Sequence, residues 1–128
     1  MKNNLKLEVL DGETMAFALA EDFSKEITFN GELITVVVPK GMRTDLASIP
    51  RPLWNLIAPF GRYEEAAVLH DFLYQHGGLL FGLPKKLNRK EADALFKQVM
   101  LADDVNKRKA WLMWASVRIF GRKFWLKN

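Results

Sequence analysis

Cysteine is absent from this sequence of 128 residues, which excludes disulfide scaffolds, zinc ribbons and thiol nucleophiles. A metal would have to be held by oxygen or by histidine, and histidine too is scarce, with His70 and His76 the whole supply. A phosphohydrolase of the kind named for its His-Asp pair needs more imidazole ligands than that. No apolar run approaches the roughly 18 residues of a spanning helix, and the start "MKNNLKLEVLDGE" lacks the apolar centre of a secretion signal. The expectation is a chain without a transmembrane segment, cytoplasmic at synthesis. A Gly-x-x-x-x-Gly-Lys phosphate loop is missing, which argues against an NTPase. Long Pro, Gly or Ser tracts are missing as well, and 49% of the residues are hydrophobic, so residues 1–128 read as one domain able to bury a core.

What is present is uneven. The net charge is +4, yet residues 106 to 128 carry seven basic residues and no acidic one, leaving twelve basic against fifteen acidic residues before that point. One end of the chain is therefore cationic. The first forty residues read as β-rich. In "EITFNGELITVVVPKG", Asn30-Gly31 separates two β-prone runs, because a type I′ turn needs positive φ at both central positions. That two-residue loop sets Phe29 opposite Glu32 and Ile27 opposite Ile34. "LKLEVL" and "TMAFALA" form a second hairpin around Asp11-Gly12-Glu13, and together the strands predict a small antiparallel sheet.

From Ser48 onward apolar residues recur at three and four, which predicts helices over the remainder, residues 41 to 128. A short helix starts at "SIPRPLWNLI", capped by Ser48. A second runs from about Arg62 to His76, stopped by Gly77-Gly78. A third spans about Arg89 to Ala102 with Asn88 as its cap, and a fourth about Lys107 to Phe120. The predicted class is α+β: a small N-terminal antiparallel sheet packed on three or four C-terminal helices.

The chemistry concentrates in "AAVLHDFLYQH", residues 66 to 76. His70 and Tyr74 are four apart and share a helix face, where Ala66 and Ala67 leave room for a neighbour. On the following helix Ala92, Asp93, Phe96 and Met100 make an inward stripe, so antiparallel packing brings Asp93 to His70. An aspartate on one imidazole nitrogen fixes the tautomer and lets the other nitrogen take a proton from water. Asp71 points about 100° away and could ligate a hard cation. The plainer reading is a buried histidine satisfied by its neighbours. His76, beside the glycine stop, reads as a helix C-terminal charge favoured by the dipole.

"EAAVLHDFLY" followed by "RKEADALFKQVM" resembles the His-Asp-x-x-Tyr helix and the following Ala-Asp-x-x-Phe helix of the phospholipase A2 superfamily, especially its cysteine-free viral members. The resemblance implies His70 as general base for water attacking an ester, Asp71 as a calcium ligand, and Asp93 and Tyr74 orienting His70. Calcium is the one cofactor it implies. That superfamily draws most calcium ligands from a glycine-rich loop upstream of the histidine, where this sequence has "WNLIAPFGRYEE" with only Gly61. A wider likeness covers residues 40 to 121. The order "TDLASIPRPLW", "AAVLHDFLY", "EADALFKQVM", "SVRIFG" is similar to a family of small uncharacterised proteins of tailed bacteriophages and prophages.

Two further sets of residues complete the candidates. Asp45, Ser48 and Arg51 of "TDLASIPR" could meet the His-Asp helix, with Arg51 pairing Asp71 or Asp93; as a turn and cap they would bond only local backbone. A Ser48-His70-Asp93 triad lacks the Gly-x-Ser-x-Gly elbow that exposes such a serine. The C-terminal set Lys107, Arg108, Lys109, Arg118, Arg122, Lys123 and Trp125 reads as a solvated face beside partly buried tryptophans, or as a surface for anionic membrane or nucleic acid.

Two functions of different class follow. The favoured one is a noncatalytic phage or prophage accessory, a virion or tail component made in the host cytoplasm, with other phage proteins as partners. The other is a phospholipase-A2-like ester hydrolase acting at the host envelope. A third use of the basic segment, nucleic-acid binding, has charge alone behind it. The first is favoured because a site without an evident oxyanion or metal loop lacks its largest rate contribution.

Overall fold

A computed structural model of the chain describes residues 5–11, 16–44 and 63–125. The α+β class is as expected: antiparallel strands come first and helices follow. Strand β1 (Leu7–Asp11) pairs with β2 (Ala16–Leu19), with Leu7 opposite Leu19 and a register irregularity between Val9 and Asp11. Strand β3 (Phe23–Phe29) pairs with β4 (Glu32–Val38) along its whole length. The Asn30-Gly31 turn has both φ angles positive, 51° and 82°, and the pairs Ile27–Ile34 and Phe29–Glu32 are those the turn dictates.

The strands form two sheets where a single one was expected. The second neighbour of β2 is β5 (Arg43–Thr44), giving the order β1-β2-β5, while β3 and β4 form a separate two-stranded sheet. Backbone bonds link the return to the first sheet: the Leu19 N–H donates to the Met42 carbonyl, and the Gly41 N–H to the Leu19 carbonyl.

Alternation along β3 and β4 turns Phe23, Ile27, Val36 and Val38 into the core. Lys25 lies on that same inward side, between Phe23 and Ile27. Burial alone would lower its pKa, but hydrogen bonds to Glu65 and Asp103 outweigh this and raise it, so the ammonium stays charged. One lysine thus ties the hairpin to the start of one helix and the end of another.

Helix α1 (Glu64–Gln75) is buried without interruption from Ala66 to Tyr74, as expected of a helix covered on several sides. It places Glu64 and Glu65 at its positive end, and it stops in a Schellman turn. There Gly77 takes φ +63° and the Gly78 N–H donates to the Leu73 carbonyl at 2.8 Å. Helix α2 (Arg89–Ala102) begins with a capping box: the Asn88 side chain accepts from the Glu91 N–H, and the Glu91 carboxylate accepts from the Asn88 N–H. Helix α3 (Lys107–Phe120) is capped by Asn106 and followed by a short 3₁₀ turn, Arg122–Phe124. Helix α2 packs on both α1 and α3, and so holds the central position. Among the described residues no helix is long and apolar enough to cross a membrane. The helix expected from Ser48 lies outside the described residues.

The connection from α1 to α2 presses closely on other backbone. The Val37 N–H donates to the Phe81 carbonyl at 3.0 Å, closing part of the free edge of β4. A Cβ on Gly82 would stand 2.1 Å from the Thr35 carbonyl oxygen, and one on Gly78 would stand 1.8 Å from that of Leu87. Glycine is required at both positions for space as well as for positive φ.

Candidate functional site

Helices α1 and α2 bring His70, Tyr74 and Asp93 together, as their inward stripes imply. His70 is 2% exposed and Asp93 is fully buried. The His70 Nε2 stands 2.6 Å from Asp93 Oδ1, and the Tyr74 hydroxyl donates to that same oxygen at 2.6 Å. The imidazole also packs against two tilted rings, with centroids 4.3 Å from Tyr74 and 4.5 Å from Phe96.

Burial alone would raise the Asp93 carboxyl, but hydrogen bonds from His70, Tyr74 and Arg118 hold it below the ordinary carboxylate value. An ionised carboxylate only accepts, so the imidazole proton sits on Nε2. Burial and the bond to Asp93 push the Tyr74 phenol well above its usual value, so it remains a donor.

Two arginines complete the arrangement. Arg118 reaches back from the last turn of α3, and its Nη1 donates to Asp93 Oδ2 at 2.7 Å. Arg89, at the first position of α2, donates from Nε to the Tyr74 hydroxyl at 3.0 Å. Its Nη2 caps the carbonyls of Val117 and Arg118, at 2.7 and 2.9 Å. The Val117 carbonyl also accepts from the Gly121 N–H at 2.9 Å, and carbonyls in the last turn of a helix draw on such side-chain donors. Asp93 thereby joins all three helices, and the end of α3 is bolted to the start of α2. Gly121 makes the closure possible, since a Cβ there would meet the Val117 carbonyl at 2.4 Å and the Tyr74 hydroxyl at 3.1 Å. The Trp125 ring lies edge-on to Tyr74, with centroids 5.0 Å apart.

Asp71 turns away from this cluster toward the first sheet, where its Oδ2 accepts from the Thr44 hydroxyl of β5. It is buried, and among the described residues no group of three or more His, Cys, Asp or Glu could hold a metal ion. Asp45, Ser48 and Arg51 lie outside the described residues; the cation on Asp93 is Arg118. His76 caps α1, with Nδ1 3.0 Å from the Phe72 carbonyl and its ring stacked on Phe72 at 4.0 Å.

The C-terminal set divides. Lys107, Arg108, Lys109, Arg122 and Lys123 are exposed, whereas Arg118 is drawn inward and Trp125 is half-buried. Helix α3 gives Ala110, Met113, Ser116 and Val117 to the interior, while Trp111 faces solvent. Sequence reasoning placed Arg118 on the outer face and did not find Arg89 or Thr44. The available signal was a lone cation within the apolar "SVRIFG" and no acidic residue on its own helix to pair with it.

The depressed Asp93 value has a testable consequence. Its folded pKa lies below its unfolded one, so the stability it confers is complete above the unfolded value and is lost as pH falls through the folded value. Burial raises the Asp103 carboxyl, which acts in the opposite sense. Urea unfolding of wild type and of Asp93→Asn, compared at pH 7 and in steps below about pH 5, isolates the one group. The gap in stability between the two proteins is expected to narrow toward acid. A constant gap would show that the carboxylate charge contributes nothing.

Residues 17–117 match the family described as "Protein of unknown function (DUF1353)". An uncharacterized protein of Sinorhizobium fredii, y4jT, is 33% identical over 114 residues, a match that takes in 88% of this chain and 31% of that protein. The chain therefore spans about a third of the length of the relative it matches. No solved structure matches it.

Proposed function

The chain belongs to the DUF1353 family, and from that footing we propose that it is a noncatalytic accessory component of a bacteriophage or prophage. The His70-Asp93-Tyr74 cluster is structural in this reading, and the basic C-terminal face is the binding surface. The observation that carries it is the guanidinium of Arg118 on Asp93 Oδ2. In a working dyad the carboxylate must stabilise the imidazolium that forms when histidine takes a proton. Here a permanent cation already occupies the carboxylate, and a second positive charge beside it is disfavoured. Both oxygens of Asp93 are committed to joining three helices. The phage setting rests on the likeness of "TDLASIPRPLW" and the strings after it; synthesis in the host cytoplasm and carriage in the virion belong to the same proposal.

A second reading, a phospholipase-A2-like hydrolase with His70 as base and calcium on Asp71, is favoured by one observation: His70 and Tyr74 both bond Asp93 Oδ1, the orienting set that the resemblance implies. Fatty-acid release from mixed anionic phospholipid vesicles, with and without calcium, separates the two. Wild type is compared with His70→Gln, whose amide can still donate to Asp93. No release above blank from folded wild type is expected. Calcium-dependent release that the variant loses would overturn the noncatalytic reading and assign the base.

A further inference from the structure

Beyond the buried cluster, the end of α3 and the 3₁₀ turn after it carry a strip of several exposed apolar side chains close together. Ile119, Phe120 and Phe124 are 69%, 51% and 48% exposed, and with Gln75, Arg122, Lys123 and Trp125 they line an open groove of about 1060 Å³. This inverts the usual pattern, in which the solvent face of a helix is polar. Contiguous exposed apolar groups of this kind mark a surface that something covers.

The charge around the strip selects the partner. Arg122 and Lys123 stand exposed within it, and no acidic residue occurs in residues 106 to 128. We propose that the strip seats on an anionic phospholipid surface, with Ile119, Phe120 and Phe124 entering the boundary between headgroups and acyl chains and Arg122 and Lys123 at the phosphates. Aromatic rings and long aliphatic stems beside cations are the composition of a surface that lies in a membrane interface. A nucleic acid would use the cations and stack on the rings, but an exposed isoleucine between them offers nothing to a phosphate backbone. The inference names the partner of the binding surface proposed above, and rests on that reading for the surface alone.

Vesicle flotation of the full chain tests it, using phosphatidylcholine alone and phosphatidylcholine mixed with phosphatidylglycerol. Wild type is expected to float with the anionic vesicles and not with the neutral ones, and to do so less as salt is raised. Two double variants divide the contributions: Ile119→Glu with Phe124→Glu, and Arg122→Glu with Lys123→Glu. All four side chains are exposed and outside the buried cluster, so both variants should melt as wild type does. Each is expected to lose about tenfold or more in partitioning. The inference is overturned if neutral and anionic vesicles are bound alike, if the Ile119 and Phe124 variant binds as wild type does, or if duplex DNA is bound while vesicles are not. Fatty acid measured in the same tubes reports on the other question: hydrolysis would sink the noncatalytic reading and leave the flotation result as it stands.

Discussion

Asp93→Ala is expected to cost about 3–5 kcal/mol of stability, because it removes the acceptor from a buried ionic network and leaves the donors behind. For a domain of this size that lowers the melting temperature by roughly 10–20 °C. The side chain is fully buried and takes hydrogen bonds from His70, Tyr74 and Arg118. Without it, the hydrogen-bonding neighbour left to the Tyr74 hydroxyl among the described residues is Arg89, and a donor cannot satisfy another donor's proton. Asp93→Asn keeps the shape and one acceptor oxygen but turns an N–H₂ group toward either the guanidinium or the imidazole and phenol. About 2–3 kcal/mol is expected for that variant. Thermal and urea unfolding measure both. A loss below about 1 kcal/mol for the alanine variant would show that the network does not hold the three helices together.

Gly78→Ala should be the most damaging of the single-methyl additions, at about 3 kcal/mol. The new Cβ would stand 1.8 Å from the Leu87 carbonyl oxygen, and φ at this position is +98°. The obstacle is backbone, and that backbone is itself bonded, since the Leu87 N–H donates to the Gly78 carbonyl at 3.0 Å. Gly31→Ala is the internal control. It too has a positive φ, +82°, but nothing lies within 4 Å of the methyl it would gain, so only turn strain of about 1 kcal/mol is expected. Urea midpoints of the two variants test the difference, and equal losses would mean that the close approach at Leu87 is not a constraint.

The elements that could be read from the sequence are those whose signals are local. Helices α2 and α3 start and end where apolar periodicity places them, and α2 begins at the cap Asn88. Asn30-Gly31 sets the register of β3 and β4 because a type I′ turn admits no other. The meeting of His70 with Asp93 was legible for a related reason: each lies on the inward stripe of one of two consecutive antiparallel helices. Arg118 and Arg89 were not legible, because helical spacing says which face a residue occupies and nothing about how far a long side chain reaches back across a helix end. Thr44 sits in a strand of two residues, too short to show a period, and the same shortness hid the division into two sheets. Lys25 breaks an otherwise apolar alternation, and its meaning emerges only with Glu65 and Asp103 placed around it.

The contact between Phe81 and Val37 bears on how the molecule avoids self-association. A two-stranded ribbon has open edges, and "LITVVV", residues 33 to 38, is uncharged, free of proline and rich in β-branched residues, the composition of an aggregation-prone segment. The glycine corner lays its own backbone against the outer edge of β4 at Val37 and crowds it at Thr35 and Val36. Another chain cannot add a strand along that stretch while the corner is in place. Damage to the corner is therefore expected to show first as concentration-dependent assembly, with light scattering rising at temperatures where the helices are still folded.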